Sequence, residues 1–184
     1  MHIPDALAPA VAFEELLPGV LKGTHKFRGE LTLIVDPADV ERAVRFLRDT
    51  RGLIFNYLSD ISAVDYFDPI KGYGDYGDRP ARFGVSYHLY SLLYNRRIRL
   101  KTFVDEDVAI PTITTLWDGA NWLEREIFDM MGIPFEGHPN LRRVLMPEDW
   151  EGHPHRRDYP LGYETIMFSF NADEINKHKP YAKD

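Results

Sequence analysis

The sequence contains no cysteine. That absence excludes disulfides, thiolate catalysis, cysteine-bound iron–sulfur clusters and cysteine-type structural zinc sites. No run approaches the roughly 18 apolar residues that a membrane-crossing helix requires. The first residues, MHIPDALAPAVAFEELLPG, place no basic block ahead of an apolar one. The chain is therefore expected to stay in the cytoplasm unless a partner brings it to a membrane surface, with no membrane span of its own. Positive charge is also scarce: 22 Lys and Arg face 29 Asp and Glu, a net charge of −7. Nucleic acid is not the expected partner, because no overall field favours phosphates. No glycine-rich phosphate loop interrupts the sequence, which argues against a nucleotide-binding doubly wound sheet.

What is present fits one globular unit, since 184 residues with 44% hydrophobic content suffice for a core. Residues 10–21 suggest a short helix ending near Pro18-Gly19. Glu30 to Val35 reads as a strand. Asp36-Pro37 then supplies a cap and a first-turn proline, and Val40, Ala43, Val44 and Leu47 recur at helical spacing, so the segment from Pro37 to about Thr50 is predicted helical, with Gly52 as its stop. Leu53 to Phe67 is rich in strand formers, and Asp68 to Pro80 is turn-forming throughout. Phe83, Val85, Tyr87 and Leu89 alternate with small or polar residues, as do Ile98, Leu100, Thr102 and Val104 beyond a turn near Asn95; this predicts an antiparallel hairpin. Pro111 and Thr112 are expected to open a helical region that Gly119 interrupts before a helix from Ala120 to about Met131. The expected fold is α+β: a two-layer sandwich of a mixed or antiparallel sheet with helices on one face, plus an extended irregular C-terminal segment. Residues 1–131 form the expected core and 132–184 an irregular docking segment and arm.

On the helix 120–131, Ala120, Leu123, Ile127, Met130 and Met131 share an arc that encloses Glu124. A carboxylate there requires a partner, and an arginine from the following segment is the natural candidate. Trp122 and Glu126 lie opposite, so the helix is expected to sit between its own sheet and another surface. Beyond it, Gly132, Pro134, Gly137, Pro139, Pro147, Gly152, Pro154, Pro160 and Gly162 break every attempt at regular structure. Irregular stretches of this length are uncommon in compact domains, so something outside the chain is expected to hold this one. Residues 162–184 are expected to form an arm laid on a partner.

Two chemical readings of this segment compete. His138, His153 and His155 match a three-histidine zinc site in number, which would make the chain a His-dependent metallohydrolase. No regular element presents them, however, and bonding or interface histidines are the stronger reading. Arg142-Arg143 and Arg156-Arg157 could grip phosphate. With five arginines against eight acids over residues 124–161, pairing with Glu124, Glu126, Asp129, Glu148 and Asp149 is favoured, which would fasten the segment to the helix.

Taken in order, Glu124-Arg125-Glu126, Asp129, Gly132, His138-Pro139, Leu141-Arg142-Arg143, Gly152-His153-Pro154, Arg156-Arg157-Asp158 and Pro160-Leu161 closely resemble the signature of the thirty-kilodalton, C-type subunit family of proton-translocating NADH:quinone oxidoreductase, respiratory complex I. The stretches from Arg82 to Leu92 and from Asn95 to Thr102 resemble that family's central hairpin, so the likeness spans about residues 30–161. The resemblance implies a cofactor-free structural and assembly subunit of a translocase, with no catalytic residues of its own. FMN and iron–sulfur clusters would belong to partner subunits. It further implies a place in the peripheral arm, on the cytoplasmic side of the bacterial membrane, docked against the quinone-site subunit and neighbouring iron–sulfur subunits. The same subunit type in a hydrogenase-like or ferredoxin-driven membrane complex is the nearest alternative.

Overall fold

A computed structural model describes residues 6–68, 70–72 and 74–160; the expected arm at 162–184 lies outside the described residues. Three helices, α1 (Pro9–Leu16), α2 (Val40–Asp49) and α3 (Ala120–Met131), accompany strands β1 (Leu21–Phe27), β2 (Glu30–Val35), β3 (Tyr57–Asp65), β4 (Phe83–Ser91), β5 (Arg96–Val104), β6 (Ile110–Pro111) and β7 (Phe135–Glu136). The main sheet has the order β1-β2-β5-β4-β3, antiparallel except where β2 runs parallel to β5. This is the mixed sheet of an α+β fold.

Register explains which side is core. Leu33, Leu100, Tyr87 and Ile61 form one cross-strand row, and all four are buried together with the inner faces of the helices. Helix α2 contributes Val40, Ala43, Val44 and Leu47, and Phe13 of α1 meets Phe46 edge-on at 4.9 Å. On the alternate positions of the same strands stand Thr32, Arg99, His88 and Asp60, which point away from the helices.

Several expectations are corrected. The helix expected from Pro37 begins as a 3-10 turn, Pro37–Asp39, and becomes α-helical at Val40, while Asp36 makes no side-chain cap bond. Gly52 does mark its end, at φ +91°. Helix α1 ends at Leu16, close to the expected stop at Pro18-Gly19, and is followed by a strand, β1, starting at Leu21, unforeseen because its side chains are mostly exposed. Pro111 does not open a helix. It lies in β6, whose partner is β7 beyond α3, so residues 112–119 are spent in turns that deliver the chain to Ala120.

Candidate functional site

Helix α3 organises the segment that follows it. Gly132 ends the helix in the left-handed conformation, φ +74°, as a glycine C-cap does. A Cβ there would lie 2.6 Å from Arg156 Nη2 and from the His153 ring, so glycine is required by space as well as by backbone angle.

One turn earlier, Asp129 is wholly buried. Its Oδ2 accepts the backbone N–H groups of Val144, Leu145 and Met146 at 2.9, 2.8 and 2.9 Å, and its Oδ1 accepts Arg143 Nη1 at 2.7 Å. Burial opposes its ionisation, but these donors outweigh it and hold the carboxyl below its ordinary value. Arg143 also donates to the carbonyls of Trp150 and Gly152, both at 2.9 Å. Arg125, stacked on Trp122 at 4.9 Å, donates to the carbonyls of Arg142 and Arg143. His153 donates from Nδ1 to the Asp129 carbonyl at 2.9 Å. The irregular backbone thus uses charged side chains where regular elements use a ladder.

A second network closes the end of the segment. Arg82 is fully buried and donates to Asp65 at 3.1 and 2.8 Å, to Asp158 at 2.7 Å and to Glu106. Asp65 further accepts the N–H groups of Phe67 and Arg157. Although desolvation works against it, these bonds keep Asp65 ionised below the usual carboxylate range. Arg156 reaches the Met131 carbonyl at 2.7 Å and Glu106 at 3.2 Å. Residues 155–158 are therefore pinned to the end of β3 and to the loop after β5.

These contacts correct the expectation that outside molecules supply the rigidity of the whole segment: its described part, 132–160, is tied down by the chain's own carboxylates and guanidinium groups. They also reassign Glu124. It is wholly buried, as its place on the helical arc requires, yet no arginine reaches it. Its partners are the Ile113 N–H at 2.8 Å and the Thr112 hydroxyl at 2.5 Å. Burial pushes its carboxyl up to about 7. His138 Nε2 stands 3.9 Å away, but burial disfavours protonation of that imidazole, which accepts the Asn140 N–H and donates to the Asn121 carbonyl. Of the acids expected to pair with the arginines, Asp129 does so. Glu126, Glu148 and Asp149 form no ion pair among the described residues.

The remaining signature residues are peripheral. Pro139, Arg142 and Pro160 are exposed, Pro154 is half-buried, and Gly152, at φ +77°, leaves room for the Tyr159 ring. Asp65 and Glu106 carried no local signal; only the fold brings them to Arg82. Among the described residues, no group of three or more His, Asp or Glu is disposed to hold a metal ion. His138, His153 and His155 therefore do not assemble the three-histidine site of the metallohydrolase reading, because two of the rings are already bonded to main chain and His155 engages the Met130 carbonyl only through its backbone N–H. No helix of the described residues is long and apolar enough to cross a membrane.

The class defined by these features is an α+β chain whose buried charges fasten a long irregular segment to a helix and a sheet end. Comparison with known proteins gives it a family: residues 33–165 match the family described as "Respiratory-chain NADH dehydrogenase, 30 Kd subunit", and the chain belongs to it. It is 48% identical to the C-type NADH-quinone oxidoreductase subunit of Roseiflexus sp. (strain RS-1), over 97% of this chain and 99% of that one. It is 42% identical to the corresponding subunit of Geobacter sulfurreducens, over 82% and 87%. A solved structure titled "Nqo5 of the trypsin-resistant fragment (1-134) in P63 form" aligns with TM-score 0.56 and 34% identity, over 65% of this chain and 89% of that chain. A chain of an archaeal membrane-bound sulfane sulfur reductase shares the fold, with TM-score 0.61 at 21% identity over 95% and 93%.

Proposed function

We propose that this chain is a cofactor-free assembly subunit of the peripheral arm of proton-translocating NADH:quinone oxidoreductase, on the cytoplasmic side of the membrane. In this reading it keeps the quinone-site subunit and neighbouring iron–sulfur subunits in register for electron transfer and supplies no ligand or catalytic group itself. The observation that carries the reading is the use of its signature residues: Asp129, Arg143, His153, Arg156 and Asp158 are engaged in shaping residues 132–160, which turns a breaker-rich stretch into a surface of fixed form. Trp122 of the adjoining α3, 61% exposed, and the exposed Arg142 of the segment itself are open to a partner, and aromatic residues and arginine are the types enriched where proteins meet. The segment 132–184 is the docking segment and arm of this reading.

Affinity purification of a tagged copy from its own cells tests it. Co-recovery of quinone-site, iron–sulfur and flavin-bearing subunits is expected, with quinone reductase activity in the eluate. Recovery of a hydrogenase pair with nickel-ligating cysteines would move the chain to the hydrogenase-like alternative, and recovery of no oxidoreductase subunit would refute the subunit reading.

A further inference from the structure

The side of the sheet turned away from the helices carries features that the buried networks do not explain. Three cross-strand rows face outward. One is Thr32, Arg99, His88 and Asp60; the next includes Lys101, Ser86 and Ser62; the third is Phe103, Gly84 and Val64. Arg97 precedes them on the same side of β5. Arg97, Arg99 and Lys101 thus stand at every second position of one strand, in a chain of net charge −7. None of the three forms an ion pair among the described residues, whereas Arg45, Arg82, Arg143 and Arg156 all do.

Their existing partners are neutral. Arg99 donates to the Thr32 hydroxyl at 2.9 Å, Lys101 donates to the Tyr66 hydroxyl at 2.6 Å, and Arg97 lies over the Tyr90 ring at 5.9 Å. Tyr66 can lie there because Gly84 has no side chain: a Cβ would meet its ring and Lys101 at 2.9 Å. Around the charges sit Phe103, Tyr66 and Val64, the last 47% exposed. A cavity of about 320 Å³ opens between Arg97, Arg99, His88, Glu30 and Asp60.

We propose that this helix-free sheet face is a docking surface for an acidic segment of a neighbouring polypeptide, whose carboxylates pair with Arg97, Arg99 and Lys101 and whose apolar residues cover Val64, Tyr66 and Phe103. Charge complementarity selects this occupant. A second copy of the chain meeting the face through its own would set like charges against each other. Two of the cations donate to hydroxyl groups and the third lies over a tyrosine ring, and such seated cations suit a fixed protein surface better than lipid headgroups. Arginine beside aromatic residues is also the composition of interface cores.

The inference rests on the subunit reading, and the test separates the two. The complete tagged chain is produced in cells holding the whole complex, as wild type, as Arg97→Glu with Lys101→Glu, and as Arg42→Glu on the exposed side of α2. A photoreactive residue at position 64 captures whatever covers the face. Expected is a cross-link to an oxidoreductase subunit, within a peptide richer in Asp and Glu than in Lys and Arg, together with about a tenfold loss of that subunit in the charge-reversed pair, no loss in the Arg42 control, and unchanged circular dichroism. If the pair disturbs folding, Arg97→Gln at its exposed position should lower recovery about threefold. Equal recovery from all forms, or a captured peptide without acidic excess, would overturn the docking face while leaving the subunit reading intact. Binding of the wild type, but not the reversed pair, to vesicles containing phosphatidylglycerol would overturn it as well, assigning the face to a membrane instead. A wild type that recovers no oxidoreductase subunit refutes the subunit reading itself.

Discussion

Arg82 and Asp158 meet at 2.7 Å across 76 positions of sequence, joining the start of β4 to the last turns of the described chain. The guanidinium is fully buried, and it serves Asp65 and Glu106 as well. Replacing it by an apolar residue would strand Asp65, whose side chain is 1% exposed. Arg82→Leu is therefore expected to cost about 3–5 kcal/mol, read from denaturant unfolding. Asp158→Asn, at a side chain 25% exposed, should cost clearly less and act chiefly by loosening residues 155–160, seen as faster proteolysis after Arg156 and Arg157.

Asp129→Asn tests the other fastening. The neutral side chain keeps one acceptor but loses the charge that attracts Arg143 and three backbone donors. Each bond to a charged group contributes about 1.5–3 kcal/mol, so a loss of roughly 3 kcal/mol or more is expected. The wild-type pH dependence has the matching sign. A carboxyl held below 3.8 in the fold contributes stability above that value, and the contribution disappears as the pH falls through the lowered folded value. The acid limb of the unfolding curve should be shallower in Asp129→Asn.

Glu124 works the other way. Its folded value of about 7 stands above the ordinary 4.5, so the stability tied to its proton is full below pH 4.5 and declines as the pH rises through 7. The change contributed by this group is about 3 kcal/mol. Glu124→Gln, which keeps acceptor and size, is expected to flatten the stability profile between pH 5 and 8 and to raise stability at the alkaline end. A profile as steep as the wild type would show that Glu124 does not titrate in this range.

Gly132→Ala combines a left-handed backbone with a Cβ placed 2.6 Å from Arg156 and His153. The conformation alone costs about 1–2 kcal/mol, and the displaced side chains lose the Met131 and Asp129 carbonyls. Unfolding at lower denaturant with slower co-assembly is expected, whereas Gly119→Ala, with open space around its Cβ, should be nearly silent.

Local pattern made much of this legible. The stripe Val40, Ala43, Val44 and Leu47 located α2, the alternation around Tyr87 and Leu100 located the central hairpin, and the arc of α3 placed Glu124 inside the apolar face. What it did not give were relationships created by the fold. The parallel pairing of β2 with β5 depends on a crossover, β1 is too exposed to show a pattern, and Arg82 finds Asp65, Glu106 and Asp158 at separations of 17, 24 and 76 positions. The partner expected for Glu124 was an arginine because a buried charge calls for an opposite one. Backbone and hydroxyl donors, joined to a raised carboxyl value, satisfied it instead.

Amide hydrogen exchange on the isolated chain is the most direct check on the idea that its own charges give residues 132–160 their form. The Val144, Leu145 and Met146 amides should be protected in the wild type without any partner and exchange at least about tenfold faster in Asp129→Asn. Unprotected amides in the isolated wild type, with protection gained only on adding partner subunits, would contradict that idea.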